Sequence, residues 1–445
     1  MTFAKPHDLH RLHAWQAATL LARRELRAED LVRACLDRVA ARDREIHAFA
    51  HIDADSVLAQ ARALDAGPVR GPLHGLPLGV KDLFDTADMP TTYGSPIYAG
   101  QRPAADAAAV ALCREAGALV LGKTVTTEFA YFHPGPTCNP HHSGHTPGGS
   151  SSGSAAAVAD CMLPLALGTQ TAGSIIRPAA YCGVVGFKPS WGRVPRAGVK
   201  SLSETLDTVG GFGRSVRDVA LLGSVLTGDA RLQEAVLDAV RADRPAPRIG
   251  LCRTEHWAQV DADTERLWEQ AKAALAPLAA GLEDVVLQPV FDSALPAEPL
   301  DLVALQQAVM AFEMARALSH ERLQHRGRLS PRLCALLDVG MAIAGAQHAA
   351  NLARTKAAQR RIDTLFDRVD VLLAPSASGE APAGIAATGD PLFCRGWTLL
   401  GLPCIHLPFS SGRLGLPMGL QLVGRHGQDH TLLACAQWVH ERLTR

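Results

Sequence analysis

Aromatic residues make up only 5% of this 445-residue chain, and neither sign of charge is in excess, with Lys+Arg and Asp+Glu at 44 each. A balanced chain offers no electrostatic handle for nucleic acid or an anionic membrane surface, so neither is expected as a partner. No apolar run approaches the roughly 20 residues that a spanning helix needs. Met1 to Gln16 carries Lys5, His7, Asp8, His10 and Arg11 where a signal peptide would be apolar. The expectation is a soluble, cytoplasmic protein. Lysine is scarce, at seven of the 44 basic residues: Lys5, Lys81, Lys123, Lys188, Lys200, Lys272 and Lys356. Ten cysteines scatter from Cys35 to Cys435 with no CxxC pair. They read as reduced, mostly buried thiols and exclude a disulfide scaffold.

What is present is ordinary globular material, 47% hydrophobic, enough for a substantial core. The stretch 7–65 has helical periodicity, with Leu9, Leu12, Ala17 and Leu20 on one face and a second amphipathic run from Ala28 to Val39. From Gly71 short apolar runs alternate with helices. Leu76–Val80, Ala118–Leu121 and Leu163–Leu167 predict strands, while Asp106–Ala116 predicts a helix closed by Gly117. Alternation of this kind predicts a wound α/β sheet. Pro245 to Arg248 reads as a linker before a strand at Ile249–Cys252 and a helix at Asp263–Leu278. The segment 300–360 reads as helix, broken near Gly327 and Ser330-Pro331. Strands return at Val369–Ala374, Cys404–Leu407 and Leu420–Val423, and a helix starts near Asp429.

Three segments carry chemistry. Thr146-Pro147-Gly148-Gly149-Ser150-Ser151-Ser152-Gly153-Ser154 runs straight into a small-residue helix, Ala155–Asp160. A flexible Gly/Ser linker would not sit inside an α/β pattern, whereas small residues let backbone approach a ligand. Gly168-Thr169-Gln170-Thr171-Ala172-Gly173-Ser174 joins an apolar run to a predicted helix. Such a loop can expose a serine while successive N–H groups converge beside it, as an oxyanion hole requires. Gly75-Leu76-Pro77-Leu78-Gly79-Val80-Lys81 ends an apolar strand on a lysine. Desolvation can leave such an amine neutral and basic, which an arginine would not become.

Together these segments resemble the amidase signature family. In that family a lysine ends a short apolar strand, a bridging serine follows two glycines, and the nucleophile lies 24 residues later; here 174 − 150 = 24. The resemblance places the nucleophile at Ser174, the bridging serine at Ser150 and the base at Lys81. It extends through Thr91-Thr92-Tyr93-Gly94-Ser95, Gly122-Lys123-Thr124, Cys182-Gly183, Gly186-Phe187-Lys188-Pro189, Gly401-Leu402-Pro403 and Gln421-Leu422-Val423-Gly424. Coverage of about 5–440 implies one amidase domain over 1–445, with N-terminal helices 7–65, a signature core 71–230 and a C-terminal half 245–440 containing the helical stretch 300–360. The implied fold is a mixed, mainly parallel twisted sheet sandwiched between helical layers. No cofactor and no metal are implied, a homodimer is common among relatives, and the peptide Gly149–Ser150 should be cis.

The implied mechanism passes a proton from Ser174 through Ser150 to neutral Lys81. An oxyanion sits on backbone N–H groups of Thr171, Ala172, Gly173 and Ser174, and water hydrolyses the acyl-enzyme. Three departures from the family pattern matter. Gln170 stands where Asp is usual, and Ala172, where Gly is usual, requires a negative φ. Arg177 lies three rather than two residues beyond the nucleophile. This last spacing resembles the malonamidase-like branch, whose substrates are small acidic amides. On a helix Arg177 would lean toward Ser174 and could clamp a carboxylate, or it could bond loop carbonyls; Pro178 opposes helix at Arg177. The expected partner is a small, carboxylate-bearing amide. Two other readings stay open: the catalytic subunit of a glutamine-dependent tRNA amidotransferase, and a non-catalytic binding protein on the same fold. Gly117 to Thr124 spells a phosphate-loop pattern, but Ala-Leu-Val-Leu within it reads as the strand itself. Cys138, His141, His142 and His145 match no zinc spacing.

Overall fold

A computed structural model describes residues 6–241, 245–292 and 300–444. Among the described residues eleven strands make one sheet: β1 (Phe49–Ile52), β2 (Pro77–Lys81), β3 (Leu119–Thr124), β4 (Leu165–Gln170), β5 (Val185–Lys188), β6 (Thr208–Gly213), β7 (Arg248–Leu251), β8 (Gly281–Asp284), β9 (Val371–Pro375), β10 (Cys404–Ser411) and β11 (Pro417–Gly424). Their spatial order is β1-β3-β2-β4-β6-β5-β10-β11-β9-β7-β8.

This is the expected mixed α/β sheet, but the balance of its pairings corrects the expectation of a mainly parallel one. Four pairings are parallel, β2 with β3 and β4, and β7 with β8 and β9; the other six are antiparallel. The parallel blocks arise where a helix intervenes between strands. β10 and β11, by contrast, are joined by a short connection and pair antiparallel. β1, β5, β6 and β8 have no counterpart among the predicted strands. β6 is Thr-Val-Gly-Gly-Phe-Gly, whose glycines mask any apolar alternation, and it survives because β4 and β5 flank it on both sides.

Side-chain alternation divides the sheet into two faces. Val371 and Leu373 of β9 pack in one cluster with Trp268, Leu432 and Val439. Leu372 and Ala374 of the same strand pack in another with Val309, Ile362 and Trp397. Helices Ala262–Leu275 and Asp429–Leu443 thus cover one face, and Leu302–Ala317, Gly345–Leu365 and Leu392–Leu399 the other. The predicted break near Ser330-Pro331 is real, because Ser330 caps a new helix, Pro331–Ala342, by accepting from Leu333 N. No single helix among the described residues is long and apolar enough to cross a membrane.

Candidate active site

β2 delivers Lys81 at its C-terminal end, between β3 and β4, and every residue of the strand is buried. The lysine has 0% exposure. Its Nζ lies 2.7 Å from Ser150 Oγ and 2.7 Å from Thr169 Oγ1, the latter on neighbouring β4. Burial holds its pKa well below the usual lysine value, against an opposing pull from Asp207. Asp207 is itself buried and accepts from Thr171 Oγ1 at 2.6 Å and from the N–H groups of Leu202 and Ser203.

Ser150 sits on the glycine-rich loop, after a cis Gly149–Ser150 peptide and a left-handed Gly148 (φ 78). The loop has no room for larger residues. A Cβ at Gly153, in the first turn of the helix Ser152–Ala159, would stand 2.1 Å from Ala48 O and 2.4 Å from Val125 N. That close approach, rather than flexibility, explains the small residues.

β4 then runs into the loop 171–175 and the helix Ile176–Cys182. Gln170 fills the place expected of an aspartate. Its Oε1 accepts from Ile175 N at 2.9 Å and Ile176 N at 3.0 Å, while its Nε2 donates to Thr398 Oγ1 at 3.0 Å. A neutral amide therefore caps this helix and still reaches a second partner. Ala172 is absent from the left-handed residues, as its methyl demands. Among the described residues, none of the N–H groups of Thr171, Ala172, Gly173 and Ser174 has a backbone or side-chain acceptor, although all four residues are buried or nearly so. Four successive unpaired donors are rare in a protein interior.

Ser150, Ser174, Thr171, Ala172 and Arg177 all line one narrow cleft. Its apolar walls include Tyr131, Phe132 and Met310, with Thr388 at another side. These come from three segments far apart in the chain, and Leu202 adds a fourth. Ser174 Oγ is unpartnered among the described residues, so no hydrogen bond links it to Ser150 in this structure.

Arg177 is 2% exposed and lies in the helix despite Pro178, its own N–H reaching Gly173 O at 2.9 Å. Proline is tolerated there because first-turn N–H groups have no intrahelical acceptor to lose. Nη1 donates to Gly389 O at 2.6 Å and Nη2 to Gly149 O at 2.5 Å, while the buried Nε has no partner among the described residues. Burial pushes this guanidinium down to about 10. The arginine therefore does bond loop carbonyls, and its guanidinium keeps N–H groups that these two bonds do not use.

The side chains of Thr169, Asp207, Gln306, Arg395 and Thr398 were not legible as site residues in the sequence. Only Thr169 carried a signal, its adjacency to Gln170. Cys138, His141 and His145 bond the carbonyls of Glu45, Cys182 and Ala381 respectively, which accounts for that loop structurally. Gly117 to Thr124 is a turn followed by β3, so its middle residues are strand and no phosphate loop forms.

The sequence pattern that defines the family described as Amidase matches residues 30–433. A glutamyl-tRNA(Gln) amidotransferase subunit from Acidothermus cellulolyticus is 43% identical over 309 residues, 65% of this chain and 61% of that protein. The protein of the same name from Roseiflexus castenholzii is 34% identical over 98% of this chain and 96% of its own length. A crystal structure of an amidase superposes with a TM-score of 0.85 at 31% identity, covering 97% of this chain and 100% of that one. Fold, motif positions and full-length similarity agree: the chain belongs to the amidase family.

Proposed function

We propose that the chain hydrolyses a primary amide of a small, carboxylate-bearing substrate through a Ser174 acyl-enzyme. The observation that carries this is a buried, dehydrated lysine 2.7 Å from Ser150, beside a cleft lined by Ser174 and by the loop whose four N–H groups lack partners among the described residues. Neutral Lys81 keeps one N–H on Thr169 Oγ1 and offers its lone pair to the Ser150 hydroxyl proton. Ser150 in turn takes the proton of Ser174 as its Oγ bonds to the amide carbon. The carbonyl π electrons move onto oxygen, where the N–H groups of residues 171–174 receive the charge. Collapse of the adduct breaks the C–N bond, and the proton returns through Ser150 to the leaving nitrogen. Water repeats the attack on the ester and releases Ser174. The Ser150 to Ser174 leg closes when substrate fills the cleft, as catalytic contacts often tighten only in the complex.

Arg177 supports the acidic substrate class, since it lines the cleft, has N–H groups left over from its two carbonyl bonds, and pairs with no carboxylate of the described residues. The malonamidase-like reading rests on this residue alone. The relatives above favour a second reading, the catalytic component of a glutamine-dependent tRNA amidotransferase. Glutamine is itself a carboxylate-bearing primary amide, so the two readings share the chemistry and differ in where the ammonia goes.

The test is a panel of glutamine, malonamate-like and neutral amides, scored for ammonia with the purified chain alone and with Ser174→Ala as control. Release from malonamate-like amides without a partner supports the stand-alone hydrolase. Release from glutamine that rises sharply with a partner supports the amidotransferase reading. Turnover surviving Ser174→Ala refutes both.

A further inference from the structure

We infer that Gln306 and Thr398 are positioning residues that aim the oxyanion-binding N–H groups at the cleft, with Arg395 fixing the Gln306 amide. This rests on the reading of Ser174 as the nucleophile. It concerns residues 132 and 224 positions further along the chain, on two helices that cover the sheet.

In a trans peptide the C=O and N–H point in opposite directions. None of the peptides from Thr171 to Ser174 is cis. Whatever fixes Thr171 O therefore aims the N–H of Ala172 the other way, and whatever fixes Ala172 O aims the N–H of Gly173. Gln306 Nε2 stands 2.9 Å from Thr171 O, and Thr398 Oγ1 stands 2.7 Å from Ala172 O. Gln306 is fully buried and Thr398 is 1% exposed, so neither bond competes with water.

Each holder is itself held. Arg395 Nη1 donates to Gln306 Oε1 at 2.6 Å, which turns the amide so that its nitrogen faces Thr171 O. Gln170 Nε2 donates to Thr398 Oγ1 and so occupies an acceptor site on the hydroxyl, leaving the proton for Ala172 O or, less closely, for Cys394 O at 3.0 Å. Gln170 simultaneously binds the N–H groups of Ile175 and Ile176 at the far end of the same loop. The loop is thus gripped by its carbonyls in the middle and by its amides at the end. The four N–H groups from Thr171 to Ser174 are left without partners among the described residues.

Packing points the same way. A Cβ on Gly173 would meet Pro391 Cβ at 2.7 Å and Cys394 Cβ at 3.0 Å. The loop is therefore pressed against the start of the helix Leu392–Leu399, which carries both Arg395 and Thr398. Electrostatic stabilisation depends on donors that need no reorganisation when the oxyanion appears. The bracket supplies that rigidity from outside the cleft, since neither Gln306 nor Thr398 lines it.

Four variants test this: Thr398→Val, Thr398→Ser, Gln306→Glu and Gln306→Met. Thr398→Val keeps the shape and loses the hydroxyl, and Thr398→Ser restores it. Gln306→Glu can still pair with Arg395 but has no proton for Thr171 O. Kinetics use the best amide from the panel above, and butyraldehyde serves as a reversible probe whose adduct with Ser174 carries an oxyanion.

The expected result for Thr398→Val and both Gln306 variants is a kcat about 10- to 100-fold lower with KM within twofold, smaller than the ~10²–10³ cost of deleting a donor outright. Butyraldehyde inhibition should weaken by a matching factor, and Thr398→Ser should recover most of kcat. Unchanged kcat in folded variants overturns the inference, as does a loss appearing equally in KM or one that serine does not rescue. Because the two positions are read independently, failure of one variant to fold leaves the other to decide. A Ser174→Ala protein that still turns over would sink the underlying reading instead.

Discussion

Replacing Lys81 by methionine tests the centre of the mechanism, because it keeps the length of the side chain and removes the lone pair. The amine is 0% exposed, and among the described residues its hydrogen-bond partners are Ser150 Oγ and Thr169 Oγ1, each at 2.7 Å. Positioned general bases contribute about 10²–10⁴-fold, so kcat for amide hydrolysis should fall by that range while KM changes little. Residues acting as one unit are not additive. Lys81→Met combined with Ser150→Ala should therefore be scarcely worse than either alone.

Stability gives a second readout with a definite sign. Burial lowers the lysine's pKa in the folded chain below its unfolded value near 10.5. Folding then releases a proton between those two values, so native stability rises as pH climbs through that window and is lowest beneath it. Lys81→Met removes this dependence at the cost of two hydrogen bonds, each worth about 0.5–1.5 kcal/mol. The variant's Tm relative to the parent should be highest at the acidic end of a pH series and fall steadily toward pH 10. The parent's kcat/KM should rise with pH through the depressed lysine pKa, reaching its plateau well before an ordinary lysine would deprotonate. Full turnover by Lys81→Met, or a Tm difference that ignores pH, would refute the reasoning.

Other expectations are read with simpler assays. Arg177→Ala should weaken kcat/KM for carboxylate-bearing amides by roughly 10- to 150-fold, the worth of about 1.5–3 kcal/mol for charged hydrogen bonds, and spare neutral amides more. Equal loss on both classes would leave the arginine only its carbonyl contacts to Gly149 and Gly389. Gly153→Ala should lower stability by at least about 1–3 kcal/mol in chemical denaturation, because its methyl would fall 2.1 Å from Ala48 O in a loop that cannot retreat. Of the ten free thiols only Cys161 and Cys334 are partly exposed, and burial pushes Cys35, Cys113, Cys252 and Cys394 up to about 12. A disulfide-exchange reagent should therefore titrate about two thiols in the native protein and all ten after unfolding. Fast reaction of Cys394 would contradict the packing of the helix behind the oxyanion loop.

Sequence alone determined the parts of this protein that are local in the chain. An apolar strand ending on a rare lysine, two glycines before Ser150 and the turn through Ser174 are each specified within a few residues, and their spacing named the family. The strands that lie within apolar runs were legible for the same reason. Only tertiary structure decided the rest. β6, with three glycines in six residues, is a strand because its neighbours supply the hydrogen bonds. The antiparallel majority follows from connections that no local pattern encodes. Above all, Gln306, Arg395 and Thr398 became part of the site only when helices from the far end of the chain packed on the oxyanion loop. A lone Gln or Thr on a buried helix face carries no periodic signal. Its role exists only in the direction of a hydrogen bond made across more than a hundred residues.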